Sequence, residues 1–152
     1  MDREVFTALI EQYVPNMYRL SYGMLKSRAD AEDAVSEALL RAWENLDRLK
    51  KPESFKAWIM QITANEARKI YRHTRRVSCV ESVGETAADF AGESHELWDA
   101  VMKLEEGYRA VIILYFYERL SVKEIGRALH IAEGTVKSRL SRGKRQLKEM
   151  LS

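Results

Sequence analysis

Residues 121–140 read SVKEIGRALHIAEGTVKSRL, and this stretch decides the fold of the C-terminal part of the chain. Ser121 and Glu124 have the spacing of a capping box, in which each side chain accepts a hydrogen bond from the other residue's backbone N–H. The helical periodicity breaks over residues 130–134 and resumes at Val136. The stretch therefore predicts two short helices joined by a tight turn.

The second predicted helix has an apolar side and a basic side. At about 100° per residue, one side carries Val136, Leu140, Leu147 and Leu151. The opposite side carries Lys137, Ser138, Ser141, Arg142, Arg145 and Lys148. With a capped helix and a short turn before it, this pattern is typical of a helix-turn-helix whose second helix enters the DNA major groove. A basic face that is merely solvated is the other interpretation of the pattern alone.

Charge is distributed unevenly along the chain. Residues 1–76 carry fourteen Lys and Arg against eleven Asp and Glu, residues 77–96 carry none against five, and residues 97–152 carry eleven against seven. Two basic blocks that flank an acidic connector favour two separate contacts with a polyanion.

The hydrophobic pattern divides the chain in the same way. No sustained period exists over residues 77–93, where serine, glycine and acidic residues are frequent, as in a flexible linker. We predict an all-α fold of two small helical domains, over residues 1–76 and 94–152, joined by this acidic linker. The second domain contains the helix-turn-helix.

Several classes of protein do not fit the sequence. No apolar run approaches the length of a membrane span, and the N-terminus lacks the order of a secretory signal. Cys79 has no second cysteine with which to form an internal disulfide, so we expect a cytoplasmic protein. The three histidines have no partners at zinc-ligand spacing, and neither a Gly-rich phosphate loop nor a nucleophile elbow occurs. We therefore expect no metal, no cofactor, no small-molecule substrate and no enzymatic activity.

The N-terminal half predicts four helices. The first covers residues 2–14, and Pro15 can open the second at its first position. The third runs from Asp30, its predicted N-cap, to Trp43. Its inner side is lined by alanines, and its outer side is acidic but includes the apolar Leu40. A solvated acidic face is the alternative interpretation of that outer side.

The fourth predicted helix follows residue 54 and becomes basic toward Arg76. Aromatic residues beside a basic helix suit unstacked single-stranded bases as well as duplex phosphates. Asn65 lies in the middle of this helix, where asparagine has poor propensity, so we expect its side chain to have a polar task.

Three motifs in this order resemble the extracytoplasmic-function (ECF) sigma factors of bacterial RNA polymerase, over nearly the whole chain. Residues 30–43, DAEDAVSEALLRAW, resemble the family's polymerase-binding helix. Residues 55–72, FKAWIMQITANEARKIYR, resemble its promoter-melting helix. Residues 108–142 are similar to its C-terminal helix-turn-helix.

The resemblance implies a division of labour between the two domains. Core RNA polymerase would bind Asp33, Glu37, Leu40 and Arg41. The minus-ten promoter element would be opened and bound by Trp58, Gln61, Asn65, Arg68, Lys69, Arg72, Arg75 and Arg76. The minus-thirty-five element would be bound by Thr135, Lys137, Ser138, Arg139, Ser141, Arg142 and Arg145. The implied partners are core polymerase, promoter DNA and an anti-sigma factor, which in this family is often membrane-anchored.

Four residues depart from the family pattern. Ser36 stands where glutamine is frequent, and Gly107 stands where proline is frequent. Arg119 occupies a turn position commonly held by glycine, so a left-handed backbone there would be strained. Gly143 replaces the usual alanine and should weaken its helix by roughly 1 kcal/mol.

Two other functions compete with the sigma-factor interpretation. One is a dimeric helix-turn-helix transcriptional regulator that binds palindromic DNA without polymerase and whose recognition segment also runs Thr-Val-Lys. The other is an adaptor that binds only protein through the acidic helix. A second basic, aromatic helix containing Asn65 has no task in a simple repressor, which favours the sigma factor.

Overall fold

The computed structural model describes residues 2–49, 51–76 and 95–152, and every regular element in these ranges is helical. The α-helices are α1 (Arg3–Leu25), α2 (Arg28–Glu44), α3 (Phe55–Arg76), α4 (His95–Lys103), α5 (Glu106–Ile112), α6 (Val122–Leu129) and α7 (Glu133–Leu151). A π-helical segment, Ile113–Tyr117, continues α5, and the 3-10 turns Leu46–Arg48 and Pro52–Ser54 lie between α2 and α3. The predicted all-α fold is confirmed. The predicted linker over residues 77–93 lies outside the described residues.

Helices α1, α2 and α3 pack against one another and form what we call the N-terminal unit. The predicted break before Pro15 is wrong, because α1 runs through this proline without interruption. Pro15 is exposed, while Phe6 on one side of it and Met17 and Leu20 on the other are buried in the same core. Tertiary packing of the apolar residues therefore outweighs the missing backbone hydrogen bond.

Helix α2 begins earlier than its sequence pattern predicts. Ser27, not Asp30, is the N-cap, since its side chain accepts a hydrogen bond from the Asp30 backbone N–H at 3.2 Å. The predicted inner face is confirmed, because Ala31, Ala34 and Ala38 are completely buried. These short side chains allow α1 and α3 to approach α2 closely.

Helices α4 to α7 with the π-helical segment form the C-terminal unit. The capping box is confirmed: Glu124 N donates to Ser121 Oγ at 3.1 Å, and Ser121 N donates to Glu124 Oε1 at 2.9 Å. Helix α6 ends at His130, whose φ of 57° is left-handed, and α7 begins at Glu133. A short turn thus joins the two helices, as the sequence predicts.

The apolar stripe of α7 is buried where it crosses the other helices. Val136, Leu140 and Leu147 have at most 6% of their surface exposed, but Leu151 is 40% exposed. The prediction for Leu151 is wrong because the last turn of α7 extends past the core. No helix in the described part of the chain combines the length and apolar character needed to cross a membrane.

The two units contact each other along α1. Glu118, which follows the π-helical segment, is completely buried against this helix. Asn16 Nδ2 donates to Glu118 Oε1 at 2.7 Å, and Arg19 Nη2 donates to Glu118 Oε2 at 3.0 Å. The Arg19 guanidinium also lies 4.9 Å from the centre of the Tyr117 ring. A buried charge is thus paired across the boundary between the units.

Arg109 of α5 makes a second contact with α1. Its Nε donates to Gly23 O at 2.6 Å and its Nη1 donates to Leu104 O at 2.7 Å. Both carbonyls lie at helix C-terminal ends, where backbone acceptors lack intrahelical partners and a cation is favoured. Burial lowers the pKa of Arg109, and the charges of Glu106 and Tyr71 partly oppose this shift.

Candidate protein and nucleic-acid interfaces

The exposed side of α2 forms the first candidate surface, which we call the α2 surface and define by Asp33, Glu37, Leu40 and Arg41. Leu40 is 48% exposed although it is apolar. Arg41 donates to Glu44 at 2.8 Å and lies 3.7 Å from Glu37. The hydrogen bond with Glu44, followed by its charge, raises the pKa of Arg41. An exposed leucine among ordered charges suits a protein partner.

The sequence argument did not identify Trp43 as part of this region. The Trp43 side chain is 40% exposed, and the Arg3 guanidinium carbon lies 4.2 Å from its ring centre. A helical-wheel argument does not single out Trp43, because this residue lies one position past the predicted apolar face of α2. The centre of its ring lies 5.7 Å from the centre of the Phe6 ring.

A groove runs between α2 and α3 beside the α2 surface. We call it the α2–α3 groove, and its lining includes Arg41, Asn45, Arg48, Trp58, Gln61 and Asn65. Trp58, Gln61 and Asn65 are half-buried on one side of α3. An aromatic ring, amides and cations along one groove can stack a base, bond its edge and hold a phosphate.

Asn65 and Arg68 are engaged by the C-terminal unit. Asn65 Oδ1 lies 3.0 Å from His130 Nε2 and accepts from Arg68 Nη1 at 3.2 Å. Since this oxygen can only accept, Nε2 carries the hydrogen. Arg68 Nη2 donates to Ala128 O at 3.1 Å. Burial and then the charge of Arg72 lower the pKa of Arg68.

The remaining basic residues of α3 differ in their surroundings. Lys69 and Arg72 are exposed, and Lys69 Nζ lies 3.2 Å from Glu66 Oε2. Glu66 itself is buried. The backbones of Arg75 and Arg76 complete α3, but their side chains lie outside the described part of the structure.

The outer face of α7 is the third candidate surface. Its exposed members are Lys137, Ser138, Ser141, Arg142 and Arg145, as the helical wheel predicts. Thr135 and Arg139 are half-buried instead, and the Arg139 side chain lies against Gly107. Lys144, which the sequence argument omitted, is exposed and lies 5.1 Å from the Tyr115 ring centre.

The α2–α3 groove and the α7 face have a similar chemical composition. Within residues 2–49, 51–76 and 95–152, no group of three or more His, Cys, Asp or Glu side chains could hold a metal ion. The α2–α3 groove and the α7 face both present cations with hydrogen-bond donors, a combination that fits a polyanion. The two surfaces belong to different units of the chain.

Two family models match the chain in this order. Sigma-70 region 2 matches residues 9–77, and Sigma-70 region 4 matches residues 94–147. The ECF RNA polymerase sigma factor SigW of Bacillus subtilis (strain 168) is 30% identical over 169 residues, covering 99% of this chain and 90% of SigW. The ECF RNA polymerase sigma factor SigL of Mycobacterium tuberculosis (strain H37Rv) is 30% identical over 157 residues, covering 97% of this chain and 89% of SigL.

Solved structures resemble the whole arrangement of helices. The sigma factor RpoE in complex with the anti-sigma factor NepR from Bartonella quintana aligns with a TM-score of 0.77 and 27% identity over 96% of both chains. CnrH in complex with the cytosolic domain of CnrY aligns with a TM-score of 0.69 and 23% identity, covering 99% of this chain and 89% of CnrH, and shares the fold.

Proposed function

The chain belongs to the ECF family of RNA polymerase sigma factors, and we propose that it binds core RNA polymerase, directs it to specific promoters and starts transcription there. The observation that carries this proposal is the adjacency of the α2 surface and the α2–α3 groove. Arg41 belongs to both. One rigid unit can therefore hold polymerase and the DNA strand that polymerase must receive.

The α2 surface is the proposed site for core polymerase. Leu40 supplies exposed apolar area, which supports affinity once it is desolvated. Asp33 and Glu37 supply negative charge that can orient the complex and speed its formation. Their exposure leaves them accessible to a partner.

The α2–α3 groove is the proposed site for the minus-ten element. Trp58 offers a face on which a base can stack, and Asn65 and Gln61 offer amides for its edge. Lys69 and Arg72 lie exposed on the same helix, where they can follow the phosphates. Extruding a base from the duplex costs a few kcal/mol, and contacts in the groove must offset that cost.

The α7 face is the proposed site for the minus-thirty-five element. Arg142, Ser141 and Lys137 are exposed on it, and these side chains can reach base edges in the major groove. Arg145, also exposed, suits a phosphate contact. Because Arg139 is half-buried, we assign it a contact at the edge of the interface.

An anti-sigma factor is the proposed regulatory partner. RpoE, whose structure aligns with nearly all of this chain, is bound to the anti-sigma factor NepR. Such a partner would control the surfaces used for polymerase and DNA. In the proposed scheme the chain is an initiation factor, and the polymerase carries out nucleotide addition.

Run-off transcription with purified core polymerase tests the proposal. A genomic promoter library should yield discrete transcripts only when the protein is added. Asp33→Lys and Glu37→Lys should each abolish capture of core enzyme, whereas Glu32→Lys, an exposed acid about 100° around α2, should retain it. Arg142→Ala should retain capture but lower promoter affinity by roughly 10-fold or more.

Failure of the wild-type protein to stimulate any transcript would refute the sigma-factor function. Tight binding of the free protein to a palindrome as a dimer would support a helix-turn-helix regulator instead. Capture of core enzyme without promoter selectivity would support a protein-binding adaptor.

A further inference from the structure

Two aromatic rings and one cation form a cluster beside the outer face of α7. Tyr115 and Phe116 belong to the π-helical segment and pack edge to face, with ring centres 5.0 Å apart. Lys144 Nζ lies 5.1 Å from the centre of the Tyr115 ring and 5.5 Å from the centre of the Phe116 ring. Both distances fall within the range of about 6 Å for a cation–π interaction. We call these three residues the aromatic–lysine cluster.

The aromatic–lysine cluster is accessible from solvent. Phe116 is 45% exposed, although phenylalanine is among the residues most often buried. Lys144 is also exposed, and within residues 2–49, 51–76 and 95–152 no carboxylate forms an ion pair with it. Its ammonium has three N–H donors, so contact with the rings on one side leaves donors that can reach an anion.

Lys144 and Arg139 lie on opposite edges of the outer face of α7. At about 100° per residue, the buried stripe fills the arc of about 140° between them on the inner side of the helix. The outer arc carries the proposed base contacts Ser141 and Arg142. From residue 137 to residue 148 the helix has no acidic residue, so its outer face is basic from one edge to the other.

A helix with cations on both edges can contact both strands of a duplex. The major groove is about 12 Å wide, and an α-helix with its side chains is about 10–12 Å across. Such a helix fills the groove, and the two edges of its outer face point toward phosphates of different strands. Arg139 is placed for one strand, and Lys144 is placed for the other.

We propose that Lys144 binds a backbone phosphate on the strand opposite to that of Arg139, and that Tyr115 and Phe116 position its ammonium. The proposal rests on the assignment of α7 to promoter duplex. A lysine side chain loses rotamer freedom when it binds a partner. The two rings restrict this side chain before DNA arrives, so less entropy is lost on binding. The contact fixes the position of α7 in the groove without reading sequence.

The surroundings of the cluster favour DNA over a protein partner. A shallow depression beside Lys144 is lined by Lys137, Leu140, Ser141, Arg145 and Lys148. All its charged members are cations, and they extend over about 16 Å of α7 at 1.5 Å per residue. Duplex DNA carries one negative charge per about 1.7 Å of its axis, which matches such a row of cations.

The test is the affinity of the free full-length protein for a fluorescein-labelled duplex of about 24 base pairs and randomised sequence, measured at several KCl concentrations. One phosphate contact contributes about 0.9 to the slope of log affinity against log salt. Lys144→Ala should reduce the steepness of this slope by about 0.9 and lower the affinity at about 0.1 M salt about eightfold. Lys144→Arg should retain both values. Lys103→Ala, which removes an exposed cation of α4, should leave both unchanged.

The positioning role of the rings is tested through Lys144. Phe116→Leu keeps an exposed apolar side chain but removes the ring, so it should lower the affinity about threefold with an unchanged salt slope. Phe116→Tyr should retain the wild-type affinity. In the Lys144→Ala protein, Phe116→Leu should have no further effect, because the ring acts through the ammonium.

An unchanged salt slope in Lys144→Ala would overturn the phosphate contact. A further loss of affinity from Phe116→Leu in the Lys144→Ala protein would overturn the positioning role of the ring. Loss of core-polymerase capture by Lys144→Ala with unchanged duplex affinity would assign the cluster to a protein partner and overturn the DNA contact. Duplex binding is measured without polymerase, so a protein that shows the expected slopes but fails in run-off transcription would refute the proposed function and leave the phosphate contact intact.

Discussion

Replacing Arg109 by methionine should destabilise the protein, because this buried cation holds two backbone carbonyls. The guanidinium caps the C-terminal end of α1 at Gly23 O and the carbonyl after α4 at Leu104 O. Methionine preserves the length and packing of the side chain but donates no hydrogen bond. Both carbonyls then remain buried without this partner.

The size of the effect follows from these two contacts. A hydrogen bond from a charged donor contributes about 1.5–3 kcal/mol. Part of the sum is offset because burial disfavours the charged form of Arg109, which is why its pKa is lowered. We expect a net loss of about 3 kcal/mol in the free energy of unfolding for Arg109→Met. Arg109→Lys should lose less, since an ammonium retains the charge and can donate to one carbonyl.

Urea denaturation followed by far-UV circular dichroism measures this loss. Lys103→Met is the matched control, because it removes an exposed cation from the adjacent end of α4 and should cost less than about 1 kcal/mol. A loss below 1 kcal/mol for Arg109→Met, or equal losses for the lysine and methionine variants, would refute the capping role of the guanidinium.

Three further substitutions test local features by the same denaturation assay. Arg119 has a φ of 58°, so Arg119→Gly should stabilise the protein by about 1 kcal/mol; a loss of stability would show that the side chain contributes more than the strain costs. Ser121→Ala removes one half of the capping box and should cost about 1 kcal/mol, and an unchanged midpoint would contradict a stabilising cap. Gly143→Ala should not raise the free energy of unfolding, because the new Cβ would lie 3.0 Å from Ile112 Cγ1. An increase of about 1 kcal/mol would show that helix propensity outweighs this close contact.

Features governed by neighbouring residues were predictable from the sequence. The Ser121–Glu124 capping box depends on spacing within one turn, and the burial of Val136, Leu140 and Leu147 depends on helical periodicity. In both cases the determining pattern lies within one turn or on one face of one helix. The left-handed backbone at Arg119 is also present, but the resemblance to the family, not a local pattern, led to that expectation.

Features governed by distant residues were not predictable in this way. Asn16 and Glu118 are separated by 102 positions, and no local pattern joins them. Gly143 is a defect by helix propensity alone, yet it permits α7 to approach Ile112 of α5. Ser27 and Asp30 are both suitable N-cap residues for α2. The residue types alone do not show which of the two caps the helix, and in the structure it is Ser27.

The π-helical segment at Ile113–Tyr117 has a consequence for how such chains change by insertion and deletion. Its wider turn, in which Glu118 N donates to Ile113 O at 3.1 Å, accommodates one residue more than an α-helical turn. Removing one residue there would restore α-helical geometry and rotate everything after it by about 100°. Glu118 would leave its partners on α1, and α7, the helix that we propose reads DNA, would point in another direction. A single codon in this segment therefore sets the angle at which the second half of the molecule is presented.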